Sequence, residues 1–243
     1  MKRYSRYISI FIAFDFLSAF LAWILFFYVR KLILNEPFVE ISSQLLFRSS
    51  IIAIFWVFLY YISGYYTSEI FRKSRLREVV NLLKTSVFGT IIIFFVLLLD
   101  DEGVLFYKVY YKTFSAYFII HLSISVFLKI IVVSFFQNIV KKGIVHFDTL
   151  IIGGGERALQ IMNEIETQNK HLGLKILGYI NGFGSKNGVS FPEKYKYYGD
   201  YNEIENIIKD NNIEEVIIAI EQTEHRMLET ILTLLDNTGV KVK

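Results

Sequence analysis

The chain contains no cysteine, which excludes disulfides, thiolate metal sites and cysteine nucleophiles. Histidine is nearly as scarce: His121, His146, His171 and His225 lie scattered along 243 residues, so no metal site is expected and no catalytic residue is assigned. Net charge is low at +3, and the basic residues gather beside apolar runs. That arrangement speaks for membrane orientation before nucleic acid, and no nucleic-acid partner is expected. No TVGYG-like stretch is present, as a potassium-type selectivity filter would need. The first apolar run is too long for a signal-peptide core and lacks a convincing small-residue cleavage site, so it is expected to remain as an anchor.

Apolar residues are what the chain has in excess: 53% hydrophobic and 17% aromatic, with a mean hydropathy of +0.42. The excess lies in the first 140 or so residues. Four runs, Tyr7–Val29, Leu45–Ser63, Val79–Leu99 and Phe114–Phe136, each approach the ~20 residues a spanning helix needs. The sequence therefore divides into a four-helix transmembrane domain at 1–142 and a second domain at 143–243 of ordinary soluble composition. Lys2, Arg3, Arg6, Arg72, Lys73, Arg75, Arg77, Lys141 and Lys142 fall on one side of the four spans. Arg30, Lys31, Arg48, Lys108 and Lys112 fall on the other, in segments that also hold Glu36, Glu40, Asp100, Asp101 and Glu102. The positive-inside rule then places both the N-terminus and the second domain in the cytoplasm.

Charges inside spans are functional candidates by default. Arg48 and Lys84 lie near span ends and can snorkel, whereas Asp15, His121 and Lys129 lie deeper. The first and fourth spans run in opposite directions, so Asp15 and Lys129 fall in the same half of the membrane, and they are read first as an ion pair within the helix bundle and second as part of a proton or substrate route. In Gly64–Lys84, the basic residues are read first as topology signals and second as contacts for lipid phosphate. Tyr60, Tyr61, Tyr65 and Tyr66 suit an interfacial aromatic belt.

Beyond Lys142 the pattern becomes α/β. Asp148–Ile152 predicts a strand, Glu156–Gln168 a helix with Ala158, Leu159, Met162 and Ile165 on one face, and Leu174–Ile180 a second strand. A turn-rich loop and a short extended Tyr197–Tyr198 follow. A helix is expected next, with Asp200 as N-cap and Glu203 completing a capping box. Then come a strand at Glu215–Ile220, a helix at Glu224–Asp236 and a last strand begun at Val240. Alternating strands and helices imply a parallel sheet of Rossmann type. Between the first strand and helix, Gly153, Gly154 and Gly155 form the turn, and Gly153, Gly155 and Ala158 occupy the places of the dinucleotide fingerprint G-x-G-x-x-G/A. Together with Glu156 and Arg157 at the helix start they offer a site for a phosphate-bearing nucleotide or nucleotide-sugar. The same glycines can also serve a tight turn with no ligand. Where a dinucleotide site usually carries an acidic residue to hold ribose, the second strand runs into Asn181, which can hydrogen-bond a hydroxyl but brings no charge.

Taken together, the four spans, GYYTSEIFRKSRLREVVNLLK, TLIIGGGERA, the strand ending GYI, and YYGDYNEIENIIKDNNIEEVIIAI followed by TGVKVK resemble the N-terminal half of bacterial long-form polyprenyl-phosphate sugar-1-phosphate transferases. These phosphoglycosyl transferases, of the bacterial sugar transferase family, start exopolysaccharide or capsule repeat units. The resemblance covers the whole chain. It implies an inner-membrane protein whose Rossmann-like module precedes a C-terminal catalytic domain. That domain moves sugar-1-phosphate from a UDP-sugar to undecaprenyl phosphate through a phospho-aspartate, with Mg²⁺. None of those catalytic residues is placed in this sequence, and the chain is expected to be a fragment. Two alternatives stand: the N-terminal part of a membrane-bound nucleotide-sugar epimerase/dehydratase, and a non-catalytic membrane-tethered nucleotide-sensing module. A homo-oligomer is left open.

Overall fold

A computed structural model describes residues 2–66, 71, 74–100, 107–167, 173–181, 191–220 and 228–243. Arg72, Lys73, Asp101, Glu102, His171, His225 and the expected helix start at Glu224 lie outside the described residues. Two compact units are present, Met1–Gln137 and Asn138–Lys243.

Among the described residues, the first unit is built on four helices: α1 (Lys2–Leu34), α2 (Ser43–Ile62), α3 (Arg75–Asp100) and α4 (Tyr107–Lys141), the last running on into the second unit. All four are long and apolar enough to cross a membrane. α1, α3 and α4 extend beyond their predicted runs at both ends, because polar residues at span ends continue a helix as readily as apolar ones; α2 begins two residues early and stops at Ile62, with Ser63 as its C-cap. Ser42 caps α2, its side chain accepting from the backbone N–H of Leu45 at 3.2 Å. The bundle interior is aromatic: Phe11, Trp56, Tyr60, Tyr117 and Phe136 are fully buried. Large apolar side chains such as Phe47, Ile54, Phe58, Phe88 and Phe127 face outward, as a lipid solvent requires.

One expectation for this unit is corrected. Tyr61 is exposed, but Tyr60 and Tyr65 are buried and Tyr66 is half-buried. The latter three form no surface belt because their hydroxyls find partners inside: His121, Thr85 and Asp15 respectively.

In the second unit the described strands form one five-stranded sheet. Its elements are β1 (Phe147–Ile152), α5 (Glu156–Thr167), β2 (Leu174–Asn181), β3 (Lys196–Asp200), a 3₁₀ turn (Tyr201–Glu203), α6 (Ile204–Asp210), β4 (Glu215–Ile218), α7 (Leu228–Asp236) and β5 (Lys241–Val242). Every pairing is parallel, in the order β3-β2-β1-β4-β5. The chain starts in the middle, winds outward to β3, then returns across β1 to β4. Strand alternation splits the core in two. Leu150, Ile152, Ile180 and Val216 pack with Ile204, Ile208, Ile231 and Leu235 of α6 and α7, while Ile151, Leu174 and Ile217 pack with Ala158, Met162 and Ile165 of α5. Helices therefore cover both faces, and the chain is a four-helix apolar segment followed by a Rossmann-like α/β unit.

The capping box does not form. Asp200 ends β3 and makes no side-chain cap bond; the turn at Tyr201–Glu203 stands between it and α6. Its carboxylate accepts from the Tyr197 hydroxyl instead.

Candidate functional site

The strand order reverses between β1 and β4, and in open parallel sheets this switch point, at the carboxyl ends of the strands, is where ligands sit. The glycine turn follows β1 there. The Gly153 N–H donates to the Ile180 carbonyl of β2 at 2.9 Å, and the Ala219 N–H beyond β4 donates to the Ile152 carbonyl at 2.8 Å, so three strand ends are fixed to one another. Gly153 has φ of +145°, and a Cβ on it would lie 2.3 Å from the Ala219 carbonyl oxygen. Any side chain is thereby excluded. Ala158 is fully buried, small enough for the first turn of α5 to close on β1. Gly154 and Gly155 are half-buried, and Glu156 and Arg157 are exposed at the start of α5, where free N–H groups and the helix dipole favour an anion.

Asn181, the last residue of β2, reaches the same edge. It is not alone there. The β2–β3 register shifts between Tyr179 and Asn181, so that Asn181 lies opposite Asp200. Gly199, at φ +110°, supplies the backbone turn that the extra residue demands. Asn181 Nδ2 donates to the Tyr197 hydroxyl at 3.5 Å, and that hydroxyl donates to Asp200 Oδ1 at 3.0 Å. Burial, then the hydrogen bond to Asp200 and its charge, push the Tyr197 phenol above its usual value. Thus Gly153, Gly154, Gly155, Glu156, Arg157, Ala158 and Asn181 all lie at one edge, joined by Tyr197 and Asp200, which the sequence did not single out as site residues. The YYGD stretch carried the signal, but only the register shows where its carboxylate falls.

A cavity of about 280 Å³ opens at the opposite edge, among Gly143, His146, Glu166, Gly173, Lys175 and Tyr195. Both Glu166 oxygens accept from Lys194 at 2.5 Å. These bonds hold the Glu166 carboxyl below its usual value, while burial and the Glu166 carboxylate push the Tyr195 phenol up. The cavity lies at the amino ends of β1 and β2, away from the glycine turn.

In the bundle, Lys129 donates to both oxygens of Asp15 at 2.5 and 2.7 Å, and both residues are buried. The Tyr66 hydroxyl adds a third bond to Asp15 at 3.0 Å. The Lys129 ammonium also lies 5.0 to 5.5 Å from the ring centres of Phe11, Tyr60 and Tyr65. About two turns earlier on α4, His121 stacks on Trp56 at 3.7 Å and meets the Tyr60 hydroxyl at 3.2 Å, while Trp56 Nε1 donates to the Tyr117 hydroxyl at 2.7 Å. The expected Asp15–Lys129 pair is therefore present. It ties α1 to α4 with each charge neutralised in place, an arrangement suited to holding helices together.

Among solved structures the chain is similar to RSP, a Rex-family repressor, at 20% identity and a TM-score of 0.36, over 46% of this chain and 51% of that one; it spans about half the length of that repressor. No curated protein matches. The model of a CoA-binding domain matches residues 61–243, from the end of α2 through β5. With more than half of its length matched, the chain belongs to the CoA-binding domain family.

Proposed function

We propose that this chain is the membrane-anchoring and regulatory portion of an undecaprenyl-phosphate sugar-1-phosphate transferase that initiates exopolysaccharide or capsule repeat units. Its Rossmann-like unit faces the cytoplasm of a bacterial inner membrane and takes a phosphate-bearing nucleotide or nucleotide-sugar at the Gly153–Gly155 turn. The observation that carries this reading is continuity. One family match runs from Tyr61, in a helix long and apolar enough to span a membrane, through α3, α4 and the whole sheet, so span and sheet belong to one module, and such domains occur in sugar-transferase-associated and related proteins. The geometry of the switch point supports the ligand class, because the N-terminus of α5 lies where a phosphate can approach the glycine turn without a side chain between. Transfer chemistry is assigned to none of the residues described. Glu156 opposes a phosphate and Arg157 offsets it in part.

Two measurements test the reading. Calorimetry of the full chain in detergent with UDP-glucose, NAD and coenzyme A should give heat with at least one nucleotide, and Gly153→Val should abolish it. No heat with any at about millimolar ligand, the level of the weakest useful affinities, would leave the turn as architecture. In cells, deleting the gene should remove lipid-linked sugar formed from labelled UDP-sugar by isolated membranes; undiminished product would overturn the transferase assignment.

A further inference from the structure

We propose that the ligand edge of the sheet selects an adenosine nucleotide whose ribose carries free hydroxyls, and rejects one phosphorylated on ribose, coenzyme A included. The inference rests on the nucleotide reading above and names its ligand more narrowly.

Family membership points to an adenosine nucleotide, since coenzyme A contains 3′-phospho-ADP. The residues at the edge do not fit that 3′-phosphate. In a dinucleotide fold the residue at the end of the second strand faces the ribose; an acid there accepts from the hydroxyls, and a cation nearby is what accommodates a ribose phosphate. Here the second strand ends in neutral Asn181, but the register shift and the bend at Gly199 bring the Asp200 carboxylate level with it from β3. The Tyr197 hydroxyl spans the two and donates to Asp200 at 3.0 Å, which fixes the carboxylate beside the amide. The edge therefore carries the acid that β2 lacks, moved one strand over. Asn181 supplies a donor and an acceptor, and Asp200 an acceptor with charge, a set matched to two vicinal hydroxyls.

A ribose phosphate would meet that carboxylate at like charge. Among the described residues of this edge, the other charged groups include Glu156 and Arg157 at the start of α5, and Glu203 and Glu205, which follow Asp200 in the 3₁₀ turn and the first turn of α6 and add negative charge. Glu156 adds to the repulsion. Arg157 lies at the phosphate end of the site, on the first turn of the helix, and Lys196 is at the far end of β3. None of these supplies a cation beside Asn181.

The test is equilibrium binding of ADP, 3′-phospho-ADP and UDP-glucose to the full chain in detergent. Wild type should bind ADP at least about tenfold tighter than 3′-phospho-ADP, a modest cost for two like charges at close range. Asp200→Asn should bring that ratio close to one, mainly by strengthening the phosphorylated ligand. Asn181→Asp, which adds a second carboxylate at the same place, should widen the ratio, and so tests the idea through a protein whose β3 is untouched. Equal binding of the two adenosine ligands by wild type, or an unchanged ratio in Asp200→Asn, overturns the inference while the anion site at the glycine turn stands. Binding of UDP-glucose without ADP does the same. Binding of none of the three overturns the nucleotide reading as well.

Discussion

The two units of this chain place polar and apolar residues in opposite ways. In the bundle, ionised and hydrogen-bonding groups lie inside, with Asp15, Lys129, His121, Ser18 and Ser125 all buried, and large apolar side chains cover the outside. In the sheet unit the interior is almost wholly aliphatic, Ile152, Ile180, Val216 and Ile231 among others, and the polar groups collect at the strand ends. One physical rule produces both. A lipid tail is as apolar as leucine, so apolar contact alone does not tell a helix which neighbour to choose, and close packing with interior hydrogen bonds must do it. Water rejects apolar surface outright, so in the sheet unit burial itself drives assembly and polar groups are left at the strand ends.

Breaking the interior ion pair should therefore give the largest effect. Asp15→Asn alone or Lys129→Met alone leaves a buried group without its partner, at a cost of roughly 3–5 kcal/mol. Removing both together should recover most of that loss. Denaturant unfolding of the full chain in detergent measures it. Single variants as stable as wild type would mean that the pair does not specify the bundle and that aromatic packing suffices.

That pair was legible because position along a helix fixes depth in a membrane: two opposite charges at matching depth on antiparallel spans have few other partners. The β1–turn–α5 unit was legible for a related reason, since its alternation, glycines and helical face are all local. What escaped depends on contacts distant in sequence. Tyr66 turns inward to Asp15, not outward to the interface, because a partner 51 residues away satisfies its hydroxyl. Likewise Asp200 sits in a pattern that reads as a helix cap. The β2–β3 register, set by a shift between Tyr179 and Asn181, places it opposite Asn181 at the carboxyl edge of the sheet, and no local spacing encodes that shift.

The same apolar truncation in the two units sharpens the contrast. Ile152 is fully buried at the end of β1, whereas Phe127 on α4 is 64% exposed. Ile152→Ala should cost about 2–5 kcal/mol, combining lost transfer energy with a cavity. Phe127→Ala removes more atoms, yet in a lipid environment it should change stability by less than about 0.5 kcal/mol, as an outward-facing site with no special feature. Unfolding of each variant reconstituted in vesicles gives both numbers. A large loss for Phe127→Ala would show that this surface is covered by protein, for instance a second copy of the chain, and not by lipid.

A comparably small effect belongs to the exposed ion pair of the sheet unit, and its pH dependence sets it apart from the interior pair. Lys194 and Glu166 are about half and a third exposed, so solvent screening limits their worth to about 0.5 kcal/mol despite the short bonds. Lys194 holds the folded Glu166 carboxyl below its ordinary value of 4.5. The unfolded state then takes up the proton first as pH falls. The contribution is therefore present in full above the unfolded value and fades as pH drops through the folded one. Lys194→Ala should accordingly lower the unfolding midpoint slightly at pH 7 and not at all at a pH below the folded value. Raising salt at pH 7 should shrink the same difference, because the pair is open to solvent, whereas the cost of Asp15→Asn, shielded inside the bundle, should be nearly unchanged by salt. Equal salt sensitivity of the two variants would show that water reaches Asp15 and Lys129, and the contrast between the units would then fail at its strongest point.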